Sequence, residues 1–205
     1  MAKLKLTKSE QKKQRDNLKQ FQRYLPTLQL KKQQLQGVIN KITEELEKKE
    51  KERERAKSNL DDWVAVFSEN LIFDPKLRLE NLVKPDKVVA SEENIAGVIV
   101  PVFMELTFKE IEYDISDYPL WVDTAVFKLR EVAMLDALCK TLEKQVELLG
   151  TELRITSQRV NLFERVKIPE AKENIRKIAI YLGDQDTSAV VRGKIAKKKT
   201  QEVTQ

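Results

Sequence analysis

The sequence predicts a mainly α protein: a long antiparallel two-helix coiled coil, built from its N- and C-terminal helices, with a small β-hairpin head between them. Three observations predict this. An apolar stripe at alternating three- and four-residue steps runs from Leu18 to Phe67. A second apolar stripe runs from Val122 to Leu182. Between them, Pro75, Pro85, Gly97, Pro101 and Pro119 punctuate the densest β-branched run of the chain. The division that follows is an N-terminal shaft helix at 1–73, a β-containing head at 74–118, and a C-terminal helix with a basic tip at 119–205.

The first stripe takes in Leu18, Phe21, Leu25, Leu28, Lys32, Leu35, Ile39, Ile42, Leu46, Lys49, Arg53, Ala56, Leu60, Trp63 and Phe67, of which only Lys32, Lys49 and Arg53 are polar. A heptad seam held this long requires a partner helix along its length. At 1.5 Å per residue, ~60 residues of helix reach roughly 90 Å, a poor frame for a pocket. Thr7 or Ser9 caps the start, since either hydroxyl can accept from a first-turn amide. The end is expected near Leu71. Pro26 either kinks this helix or opens a second one at its first turn. Residues 44–57 alternate charges at one-turn spacing and need no binding role.

In the head, Val88 to Ala90 and Ile95 to Phe103 read as strands. Glu105 to Tyr113 alternates polar and apolar residues as a third short strand would. Such a head is too small to bury a core of its own, so it is expected to pack on the helix ends beneath it.

The second helix is expected from about Pro119–Leu120. Its stripe passes Val160 and Phe163, then takes steps of four through Lys167, Ala171 and Ile175. Such a stutter relaxes left-handed supercoiling. Pro169 sits inside it, at a nominal cost of about 3 kcal/mol for a mid-helix proline. Gly183 and Gly193 weaken the helix beyond that point, so its last turns are expected to fray. Placing Phe67 opposite Val122 makes paired positions total about 189, which sets Arg53 against Asp136.

Composition narrows function. Of 205 residues 35% are charged, none is His and one is Cys, which removes the commonest general base, any intramolecular disulfide and any multi-cysteine metal site. No nucleotide-cradling glycine loop is present, and no cofactor is expected. The start MAKLKLTKSEQKK lacks a signal peptide's apolar stretch, and no apolar run approaches the ~20 residues of a membrane span, so a cytoplasmic location is expected. Cys139 reads as a small packed side chain. The net charge of +5 is uneven. Residues 1–23 carry +6 and residues 192–205 carry +4, leaving −5 between them. Charge runs are usually solvated faces, but two basic ends also suit one acidic surface. No aromatic lies between Leu182 and Gln205, which disfavours single-stranded nucleic acid as the partner.

Residues Arg159-Val160-Asn161-Leu162-Phe163-Glu164-Arg165-Val166-Lys167-Ile168-Pro169 resemble the R-V-N-A-L-E-x-V-x-I-P stretch of the D subunit of V-type and A-type rotary ATPases. Leu162 and Phe163 depart from the usual Ala and Leu. Ile175, Ile178 and Leu182 continue the similarity, and Leu6-Thr7-Lys8 looks like the family's opening. Tyr24-Leu25-Pro26-Thr27-Leu28 looks like the bacterial V-type branch. The resemblance covers essentially the whole chain.

It implies a non-catalytic central rotor shaft. Its partners would be the catalytic A and non-catalytic B subunits of a hexamer, a small F subunit, and a C subunit leading to the membrane ring. Neither nucleic acid nor direct membrane insertion is implied, and the chain would sit peripherally on the membrane within the complex. On this reading Lys3, Lys5, Lys8, Lys12, Lys13, Arg159, Arg165, Arg192, Lys194, Lys197, Lys198 and Lys199 face the hexamer. Exposed Val98, Val100, Val102 and Phe103 would meet head partners, and Pro26 and Pro169 would bend the shaft. The rival classes are a static coiled-coil chaperone or scaffold of the prefoldin kind, and a helical-arm RNA binder.

Overall fold

The structure, a computed structural model, describes residues 4–61, 82–109 and 121–203. In chain order these are helix α1 (Lys8–Asp61), strands β1 (Pro85–Ile95) and β2 (Val98–Phe108), helix α2 (Val122–Leu162), a single π-helical turn (Phe163–Lys167) and helix α3 (Ile168–Val203). Compactness divides the chain into two units. One combines Met1–Lys32 with Ile155–Gln205, and the other is Gln33–Arg154. The expected ends of the first helix and of the third strand, with Trp63, Phe67, Pro119 and Lys3, lie outside the described residues.

α1 begins where Thr7 caps it. The Glu10 amide donates to Thr7 Oγ1 at 3.3 Å, so the hydroxyl satisfies one of the first-turn donors that has no helical partner. The helix then continues unbroken through Pro26, whose side chain is exposed. Of the two alternatives at this proline, passage within one helix is the observed one.

In the middle unit, Leu35, Ile42, Leu142 and Leu149 are buried together with Val100 of β2. Leu35 and Ile42 belong to the first stripe, and Leu142 and Leu149 to the second, so the two stripes make the seam. Arg53 reaches Asp136, as expected from the sequence, with Nη1 3.5 Å from Oδ1.

The head is a two-stranded antiparallel hairpin. β1 starts at Pro85 rather than Val88, and the expected strand from Ile95 to Phe103 is interrupted by a turn. Ala96 (φ 52°) and Gly97 (φ 83°) both take positive φ, between the paired residues Ile95 and Val98. This is the two-residue turn whose twist matches that of the flanking strands. The Gly97 amide donates to Asn94 Oδ1 at 2.9 Å. Residues Glu105 to Phe108 extend β2 instead of founding another strand.

The hairpin's placement corrects a further expectation. Ile95, Ala96 and Val98 pack against the Leu35–Leu149 cluster, so the turn lies along the helices rather than on their ends. Gln145, itself buried, donates through Nε2 to the Pro101 carbonyl and ties β2 to α2. Arg130 stacks its guanidinium 5.2 Å from the Phe108 ring centroid. A two-stranded hairpin is marginal alone, and this one is stabilised by apolar contact with a helix pair. A second cluster gathers Leu82, Val122, Ala125 and Val126.

Candidate functional site

In the terminal unit, the stretch from Arg159 to Pro169 contains the least regular helical geometry of the described residues. Val160 is buried and Phe163 half-buried. Phe163 stacks on Phe21 with ring centroids 5.3 Å apart and planes inclined by 26°. The helix then widens. The Ile168 amide donates to the Phe163 carbonyl, five residues back, where an α-helix would bond four back. The extra residue absorbs the stutter: Val160, Ala171 and Ile178 stay buried on either side of it while Lys167 turns outward.

Pro169 follows immediately, at the second residue of α3. A proline within an α-helix lacks a donor and collides with the carbonyl four residues back. Here the carbonyl four residues back is that of Arg165, inside the wider π-helical turn. The sequence anomaly therefore coincides with the one π-helical turn among the described residues. Arg159, Arg165 and Pro169 are exposed, so the segment presents charge outward while its apolar side holds the seam.

The basic ends are also exposed. Lys5, Lys8, Lys12 and Lys13 show exposed side chains at the start of the chain, as do Arg192, Lys194, Lys197, Lys198 and Lys199 in α3. Lys8, Lys12, Arg15 and Lys19 line one groove with Leu182, Gly183 and Asp186. Four cations against Asp16 and Asp186 make that groove net basic. From Gly183 to Gln201 every side chain is exposed, yet the helix runs on to Val203 rather than fraying. Residues Lys194 to Glu202 are rich in strong helix formers, which offsets the two glycines.

The head candidates separate. Val100 is fully buried in the seam cluster, so its expected exposure is corrected. Val98, Val102 and Phe103 are half-buried. The exposed apolar residues of β2 are instead Ile99 (61%) and Met104 (63%). Met104 is the unpaired residue of a bulge, since Val89 pairs with Glu105 and Ala90 with Phe103. Strand alternation would have exposed Ile99 to sequence reasoning; the bulge carries no comparable signal. Phe127 and Met134, seven residues apart on α2, are also exposed.

Among the described residues, no group of His, Cys, Asp or Glu could hold a metal ion, and no helix is long and apolar enough to cross a membrane.

Comparison with known proteins agrees with the extent of this architecture. The family model describing the D subunit of ATP synthase matches residues 10–198. The V-type ATP synthase D subunit of Borreliella burgdorferi is 50% identical over 197 residues, covering 96% of this chain and 95% of that one. The protein of the same name from Chlamydia caviae is 35% identical over 199 residues, covering 97% and 94%. That from Chlamydia felis is 36% identical over the same length and coverage.

Proposed function

The chain belongs to the ATP synthase D-subunit family, and from that premise we propose that it is the central-stalk rotor subunit of a V-type ATPase. In this role it couples ATP hydrolysis or synthesis in a catalytic hexamer to ion translocation by a membrane ring. The observation that carries the reading is the 50% identity to a V-type ATP synthase D subunit across nearly the full length of both chains. A static chaperone or scaffold role finds no comparable support.

The physical requirements of a rotor fit the described surfaces. Torque needs stiffness, which a seam of interlocked apolar side chains supplies. Sequential activation of catalytic sites needs a cross-section that differs from face to face, and the π-turn with Pro169 breaks helical uniformity. Rotation needs contacts that slide, which favours dispersed exposed cations over deep sockets. We assign the hexamer-facing role to Lys3, Lys5, Lys8, Lys12, Lys13, Arg159, Arg165 and the five cations from Arg192 to Lys199. Residues 1–73 and 119–205 then form the shaft arms and 74–118 the head. The A and B subunits surround the basic ends, and the F and C subunits are partners beyond the hexamer. The chain does no catalysis itself and works at the membrane periphery within the complex.

The test is purification of the tagged chain from its native cells, with mass spectrometry and an ATPase assay on the eluate. Co-recovery of a catalytic and non-catalytic ATPase subunit pair with ATPase activity is the expected result. Recovery without ATPase, or with unfolded clients or RNA instead, overturns the reading.

A further inference from the structure

From Pro85 to Asn94 every side chain of β1 is exposed, and the sheet ends at this strand among the described residues. An antiparallel strand turns the amide and carbonyl of alternate residues to opposite sides, so every second residue of β1 offers both along its outer edge. Such an edge is a template for another strand unless something blunts it. The two edges of the hairpin differ in this respect. Along β2, Pro101 has no amide hydrogen, and its carbonyl accepts from buried Gln145 of α2. Along β1, the pairing runs from Lys87 to Ile95 without a proline, and the bulge at Met104 falls on β2.

We propose that the outer edge of β1 pairs with the same edge of a second copy, antiparallel and centred on Ala90. Charge selects this occupant. Lys87 and Glu93 stand at equal distances on either side of Ala90, and neither has an ion-pair partner among the described residues. In the centred register Lys87 of each copy lies directly opposite Glu93 of the other, and such opposite-charge pairs stabilise a sheet. A parallel, in-register pairing would set Lys87 against Lys87, which is destabilising. The arrangement also closes. Its outermost strands are the two copies of β2, whose edges Pro101 and Gln145 already occupy, so growth stops at the two-fold pair. A single strand pair is a small interface, so the dimer forms from free chains at high concentration and dissociates on dilution.

The experiment is sedimentation velocity on the purified full chain over a wide concentration range. A reversible dimer without larger species is expected. Lys87→Glu should weaken association about tenfold or more, with the circular dichroism spectrum unchanged, and adding Glu93→Lys should restore it. A short thiol-to-thiol cross-linker then reads the register. Directly opposed residues have Cβ atoms about 4.5–5.5 Å apart, so Ala90→Cys should join two copies. Glu93→Cys should not, because its two copies are offset by about 20 Å along the strands. Cys139 is fully buried and takes no part. A chain that stays monomeric, larger assemblies without a dimer, a charge swap that fails to restore association, or equal cross-linking at both positions overturns the proposal. So does a chain that is monomeric when pure and whose Ala90→Cys variant captures only a different protein in native cells. The association needs no ATPase subunit, so its failure leaves the rotor reading untouched, and the reverse holds.

Discussion

Ala96 is the one non-glycine residue with positive φ among those described, and it stands in the head's tight turn. The left-handed region costs an L-residue roughly 1–2 kcal/mol, less for Asn, whose short polar side chain tolerates it. Ala96→Asn should therefore raise stability by about 0.5 kcal/mol, seen as a higher urea midpoint. Gly97→Ala, at φ 83°, should lower it by about 1 kcal/mol. Equal midpoints for the two variants would contradict this account of the turn. Cys139, fully buried, makes a second prediction. Burial pushes its thiol pKa up; nearby Arg53 opposes this, while the carboxylates of Glu50, Asp136 and Glu143 add to it. A group whose folded pKa lies above its unfolded value contributes stability that is present below the unfolded pKa. That stability is lost as pH rises through the folded one. Relative to Cys139→Ala, the native chain should lose stability as pH climbs past the ordinary thiol range, and a thiol reagent at pH 8 should label it only on unfolding. Fast labelling of folded protein would show the site to be open. Cys139 was legible as a packed residue, whereas Ala96 was read inside a strand from Ile95 to Phe103; the turn, the sign of φ and the depth of burial came from the fold.

At the scale of elements, two features decide how the helices meet. Arg53 and Asp136 interrupt an apolar seam, with Lys57 also 3.7 Å from the same carboxylate oxygen. Arg53 Nε is buried without a hydrogen-bond partner, so the seam already carries an electrostatic cost. Asp136→Ala should destabilise by about 1–2 kcal/mol, less than a fully buried pair because both side chains retain solvent contact. Arg53→Met combined with Asp136→Leu should recover most of that loss in a double-mutant cycle by chemical denaturation. Additive losses would show that the pair is not coupled. The pairing was read from sequence because charges in facing stripes are visible there. The π-turn makes the other prediction. With the wider turn directly preceding Pro169, Pro169→Ala should leave the melting temperature unchanged or slightly higher, while altering the coupling of ATP hydrolysis to ion movement. A loss above ~2 kcal/mol would mean that the proline itself stabilises the fold.

For the whole molecule, charge placement is the governing quantity. The +6 of residues 1–23 and the +4 of residues 192–205 outweigh the −5 between them, so the two chain termini are the basic parts. Every described side chain from Gly183 to Gln201 is exposed, so nothing in the seam depends on that stretch. Deleting residues 186–205 should therefore leave helicity and melting temperature nearly unchanged per remaining residue. In the assembled complex the same deletion should weaken retention of the chain and coupling, more severely as salt is raised, because the remaining contacts are screened. A truncated chain that assembles and couples normally would remove the tip from the mechanism.

The sequence by itself determined the helix–hairpin–helix order, the apolar seam, a hydroxyl cap at Thr7 or Ser9, the basic termini and the family. Each is written in local periodicity, local chemistry or a contiguous stretch such as Arg159 to Pro169. Only the tertiary structure decided where the hairpin lies, that Val100 is buried while Ile99 and Met104 are exposed, and that a π-turn directly precedes the proline. Those depend on contacts between residues distant in the chain, as between Val100 and Leu35 or Phe21 and Phe163. A repeating apolar pattern is nearly degenerate under a shift of one turn. Side-chain packing removes that degeneracy, and packing is a property of the folded pair.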